Sequence, residues 1–70
     1  MHEQLTPKIL RTTDESRLET GGDVRQVTRV VYQLGKFGPF EKEFPRDGFN
    51  QYALQQEFEE KARTLEPFLR

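Results

Sequence analysis

Residues 24–34, VRQVTRVVYQL, carry the alternation that most restricts this chain. Even positions hold Val24, Gln26, Thr28, Val30, Tyr32 and Leu34, and odd positions hold Arg25, Val27, Arg29, Val31 and Gln33. Side chains along a strand point alternately to its two faces, so from Thr28 onward the even face is the apolar one and should meet a core. The odd face mixes arginines with valines and is left for solvent or a partner.

Residues 35–45 predict the second arm of a hairpin. GKFGP turns the chain, and FEKEF, residues 40–44, alternates again with Phe40 and Phe44 on one side and Lys42 between them. Pro45 borders this strand and offers no donor to a ladder, which places the strand at an edge. Upstream, KILRTTDESRLET, residues 8–20, has apolar and β-branched residues early and Leu18 late, with Asp14, Glu15 and Ser16 between. It predicts one strand, bulged or broken near Asp14; two short strands joined by a turn are the alternative. TGGD, residues 20–23, then forms a compact turn, since paired glycines tolerate the positive φ angles of a two-residue hairpin.

Asn50 is the natural start of a helix: it can cap, and Phe49 before it can pack on Leu54. Leu54, Phe58, Ala62 and Leu65 recur at spacings of four, four and three and form one apolar stripe, with Tyr52 or Ala53 extending it. Gln55, Gln56, Glu59, Glu60 and Arg63 occupy the opposite surface, and Glu57 reads as part of the same solvated face. Pro67 disfavours a helical Glu66, so the helix should stop near Leu65 or Glu66.

The fold class expected is α+β, a three-stranded antiparallel β-meander packed against one C-terminal α-helix in the order β-β-β-α. Residues 1–7 read as a loose arm and residues 8–70 as a single small domain. The helix stripe should bury Val30, Tyr32, Leu34, Phe40 and Phe44. The other sheet face, with Arg25, Val27, Arg29, Val31 and either Ile9 or Leu10, should stay open.

Composition bears mainly on function. With no cysteine among 70 residues, neither a disulfide nor a thiolate zinc site reinforces the small core. Eleven basic residues against twelve acidic ones leave a net charge of −1, which argues against a dedicated nucleic-acid binder. The single histidine, His2, lies in the expected arm, and GKFG is too short for a phosphate loop and precedes no helix. No cofactor, metal site or catalytic group is therefore expected. The start of the chain lacks the basic and apolar regions of a signal peptide and no apolar run could span a membrane, so a cytoplasmic location is the default expectation.

Two features invite binding. Phe37 sits between Gly35 and Gly38, with Pro39 stiffening the exit: it either folds back over the core or projects as an aromatic anchor for a partner. Arg25 and Arg29, interleaved with Val27 and Val31, either pair with acidic residues on neighbouring strands or form an interface. Phe68 and Leu69 either close the bottom of the core or dock elsewhere. The expected function is a non-catalytic protein interaction module or small structural or accessory subunit, binding a protein partner or a second copy through the open sheet face, an exposed strand edge or the Phe37 loop. A nucleic-acid-associated regulator using Arg11, Arg25 and Arg29 is the alternative from another class, and a small phage structural or accessory protein is a further version of the first.

Overall fold

Val30, Tyr32 and Leu34, three alternate residues of one strand, are wholly buried and form the centre of the core. In the computed structural model, which describes residues 5 to 69, their strand β2 (Val24–Leu34) lies between β1 (Pro7–Leu18) and β3 (Phe37–Pro45) in one antiparallel sheet of order β1-β2-β3. A single α-helix, α1 (Gln51–Leu65), comes after β3 and packs on the even face of β2. This is the β-β-β-α architecture that the alternation predicts.

The helix begins where the sequence places it. Asn50 is extended, at φ −152° and ψ 174°, and its side chain accepts a hydrogen bond from the Ala53 amide at 2.8 Å. Phe58, Ala62 and Leu65 are buried against Val30, Tyr32, Leu34 and Phe44, while Leu54, Ala53 and Phe49 pack around them. Tyr32 meets the Phe58 ring edge-on at 5.0 Å and a tilted Phe40 at 5.6 Å. Burial of each such aromatic contributes about 2 to 3 kcal/mol, which makes this cluster the main support of so small a domain.

Several local expectations need correction. Residues 5 to 7 are not a loose arm: Leu5 is wholly buried in the core, the Thr6 carbonyl accepts from the Gly35 amide at 3.0 Å, and Pro7 opens β1. A buried leucine pins the chain where polarity and a proline suggested freedom. Residues 1 to 4 lie outside the described residues. The first strand is continuous through Asp14, whose carboxylate accepts the Thr28 hydroxyl at 3.0 Å; the register shift falls instead at Leu10, between Ile9 and Arg11. At the hairpin tip the Gly22 amide bonds to the Glu19 carbonyl, and Glu19 and Asp23 close a three-residue loop rather than a two-residue one. Gly21 and Gly22 supply the positive φ angles there, 97° and 88°.

The helix also ends differently. Glu66 keeps helical angles, φ −50° and ψ −43°, despite Pro67, because its amide still reaches the Ala62 carbonyl and the chain tightens into a 3-10 turn, Glu66–Leu69. Leu69 packs on the core, whereas Phe68 is exposed.

β3 pairs with β2 only from Val27 to Leu34, but β1 stays paired with β2 as far as Val24. Beyond β3 the first hairpin therefore continues as a two-stranded ribbon, where Ser16 Oγ bonds Gln26 Oε1 at 3.2 Å and the facing pair Leu18 and Val24 is 74% and 61% exposed.

Candidate interaction surface

The odd face of β2 lacks a covering helix, yet it is closed by its own charges. Register puts Glu15 and Pro45 on either side of Val27, Thr13 and Glu43 beside Arg29, and Arg11 and Glu41 beside Val31. Arg29 stands at the centre: its Nη2 lies 3.3 Å from Glu15 Oε1 and 3.1 Å from Glu43 Oε2, and its Nε lies 3.0 Å from Glu41 Oε1. That Nε is buried and finds no aligned acceptor among the described residues, so Glu41 attracts it without completing a hydrogen bond. The hydrogen bond that Arg29 donates to Glu43, aided by the charges of Glu15 and Glu41, raises the Arg29 pKa above its ordinary value against the opposing effect of desolvation.

Glu43 also pairs with Arg17, which reaches it from β1. Arg17 faces Arg25 and Glu43 faces Arg29 in the register, so this link spans β2 above Val27. Val27, expected on an open surface, is accordingly only 4% exposed. The cover is a bridge between the two outer strands rather than a second layer. Val31 is half-buried, and Arg25 forms an exposed pair with Glu19 at 3.6 Å. A face on which Arg29 and Arg17 are matched by Glu15, Glu41 and Glu43 is no basic patch.

Phe37 does not project. It opens β3 opposite Leu34, is half-buried and packs against the core. Gly38 is required beside it, since its φ is 120° and an added Cβ would lie 3.2 Å from the Tyr32 carbonyl oxygen and 3.3 Å from Gln33 Cα. Pro39, joined to Gly38 by a cis peptide, is exposed and serves the strand entry rather than an anchor.

On the helix side, Glu57 departs from the solvated face assigned to it. It accepts the buried Tyr32 hydroxyl at 2.6 Å and lies 3.9 Å from Lys42 Nζ. Burial first, and then this carboxylate, push the Tyr32 phenol well above its ordinary value. Lys61 adds a cation over the Phe40 ring, 4.9 Å from its centre. These contacts tie the helix to the β3 half of the sheet.

Among the described residues, no such hydrogen bond, ion pair or cation contact joins the helix to β1. Between the first part of α1 and the start of β1 lies a shallow concavity of about 290 Å³, lined by Pro7, Gln51, Leu54, Gln55 and Phe58. Ile9, opposite Tyr32 and therefore on this side, is 46% exposed. Every residue of β1 is exposed except Pro7 and Glu15, which are half-buried. No other strand pairs with its outer edge among the described residues.

Natural sheets defend such edges with proline, a bulge or charged side chains, lysine above all. β3 has Pro39, Lys42 and Pro45 along its length. On β1, Pro7, Lys8 and the shift at Leu10 defend only the first third; residues 11–18, RTTDESRL, contain neither proline nor lysine, pair regularly with β2, and carry charges of both signs of which Asp14, Glu15 and Arg17 are engaged within the domain. Sequence reading singled out the arginines and missed their partners, Glu15, Glu41 and Glu43, because only the register reveals who faces whom. It did notice the edge, but the devices that distinguish β1 from β3 acquire meaning only once strand order is known.

Comparison of the chain with protein-family models, curated proteins and solved structures finds no match.

Proposed function

We propose that this chain is a non-catalytic protein interaction module that docks by strand addition along the outer edge of β1. The observation that carries this reading is the contrast between residues 11–18, almost wholly exposed and free of proline, lysine and bulge, and a sheet whose faces are already occupied by a helix and by an ion-pair network. Strand addition draws affinity from main-chain hydrogen bonds and needs no deep pocket, which suits a domain whose concavity is shallow. Its elongated shape, 47 by 20 by 18 Å, presents that edge along most of its length, as befits a small structural or accessory subunit.

The nucleic-acid alternative loses its main support, since Arg29 is held by three glutamates and Arg25 by Glu19. No helix among the described residues is long and apolar enough to cross a membrane.

The test is to block one edge at a time. Chemical crosslinking in the source cells and subsequent purification should recover associated protein with the native chain. Thr13→Lys, which puts a lysine midway along residues 11–18, should abolish that recovery, and Glu41→Lys on β3 should not. Equal recovery with all three would contradict the reading.

A further inference from the structure

We infer that the occupant of the β1 edge is a second copy of this chain, paired antiparallel about a two-fold axis at Thr13. The inference rests on the strand-addition reading and specifies its partner.

Two identical strands can pair antiparallel in one continuous sheet only about an axis perpendicular to it, and then residues directly opposite one another share a face. Faces alternate along the strand, so the axis must pass beside a residue that faces its own copy. The candidates can be compared by charge. Centring on Arg11, Asp14 or Glu15 sets a charge against itself, and centring on Asp14 also sets Arg11 against Arg17. Centring on Thr12 places Arg11 opposite Thr13 and brings no opposite charges together. Centring on Ser16 sets Glu15 opposite Arg17, but it overlaps only residues 14–18 of the strand and uses an arginine already paired with Glu43. Centring on Thr13 sets Arg11 of each copy opposite Glu15 of the other, twice per dimer, with a threonine pair between and a longer overlap.

The surroundings agree with that register. Arg11 is exposed and has no ion-pair partner among the described residues. Glu15 already faces Arg29, so Arg11 of the second copy would continue an alternating series that runs from Glu41 through Arg29 to Glu15. Thr13, Arg11 and Glu15 share the odd face by their pairing with Arg29, Val31 and Val27. Pairing is regular over residues 11 to 15 of both strands, and residues 16 to 18 of each copy run on past the shift at Leu10 of the other. Leu18 of the second copy, on the helix side, falls alongside residues 7 to 9, where Ile9 is half exposed and Pro7 edges the apolar concavity. One pairing thus occupies the edge, matches Arg11 with Glu15 and brings Leu18 beside Ile9.

The chain has no cysteine, so single substitutions report the register directly. Cβ atoms of directly opposed residues lie about 4.5 to 5.5 Å apart, close to the spacing of a disulfide. Thr13→Cys should give a covalent dimer on mild oxidation. Leu18→Cys should not, because its two copies lie ten strand positions apart, about 33 Å.

Charge provides an independent readout. Arg11→Glu and Glu15→Arg each turn both cross-strand pairs repulsive and should weaken self-association on the order of tenfold. Mixed together, the two variants present Glu opposite Arg in both pairs and should form a heterodimer. Crosslinking at Leu18 but not Thr13, or no recovery on mixing, would overturn the register. A native chain that stays monomeric up to millimolar concentration would overturn the second copy as partner, while continued loss of cellular association with Thr13→Lys would keep strand addition to another protein. Association indifferent to every β1 substitution would overturn both.

Discussion

The two edges of this sheet differ although both belong to the same small domain. β3 is anchored to the helix through Phe44 in the core, through Lys42 near Glu57 and through Phe40 beneath Lys61, and prolines sit near both its ends. β1 is longer, almost wholly exposed, and held chiefly by its pairing with β2 and by ion pairs across the open face. The difference separates where the domain's stability resides from where the proposed recognition would act. The β3 half folds the domain, and the β1 edge is available because little of the core depends on its outer side.

The strongest way to break this comparison is to truncate an apolar side chain on each edge strand. Phe44→Ala removes a buried ring and should cost about 3 kcal/mol in urea unfolding, whereas Ile9→Ala on β1, half exposed, should cost below about 1 kcal/mol. Similar losses would mean that β1 carries as much of the core as β3.

Tyr32→Phe probes the tie between helix and sheet. It removes the hydroxyl that Glu57 accepts and should cost about 1.5 kcal/mol. It should also change the alkaline limb of stability. The folded phenol has a raised pKa, so below about pH 10 both folded and unfolded chains hold it neutral and its contribution is complete. Above that pH only the unfolded chain ionises, and stability falls with rising pH. The phenylalanine variant should lose this component of the fall in thermal unfolding measured from pH 9 to 11.

Lys42→Thr sharpens the contrast from the other side. Lys42 is half exposed and stands at 3.9 Å from Glu57, whose carboxylate keeps the Tyr32 hydroxyl, so the change should cost about 0.5 kcal/mol and leave the fold in place. With a second edge less well defended, however, association should proceed past a closed dimer toward longer assemblies, visible by light scattering. Thr13→Lys should have the smallest effect on unfolding, within about 0.5 kcal/mol, because Thr13 is exposed. It should nevertheless leave the chain monomeric.

Much of the fold was legible because each element carries a local signal. Alternation in residues 24–34 marked the central strand and its buried face, and Asn50 with the stripe from Leu54 to Leu65 marked the helix. What escaped notice depended on contacts between distant residues. Leu5 looked like part of an arm because nothing in its neighbours shows that it fills the core. Val27 looked open because the bridge above it joins Arg17 to Glu43. Glu57 looked solvated because its partner, the Tyr32 hydroxyl, comes from the central strand. Phe37 remained undecided between core and anchor until its pairing with Leu34 placed it against the core. The arginines were legible as residues, but their neutralisation was a property of strand register.

The most direct test of the central claim is amide hydrogen exchange, residue by residue, as the native chain is concentrated from the micromolar to the millimolar range. Those amides of residues 11–18 that point away from β2 should become protected with concentration, while the outward amides of β3 keep exchanging at an unchanged rate. Protection arising along β3, or none along β1 at any concentration, would contradict the account.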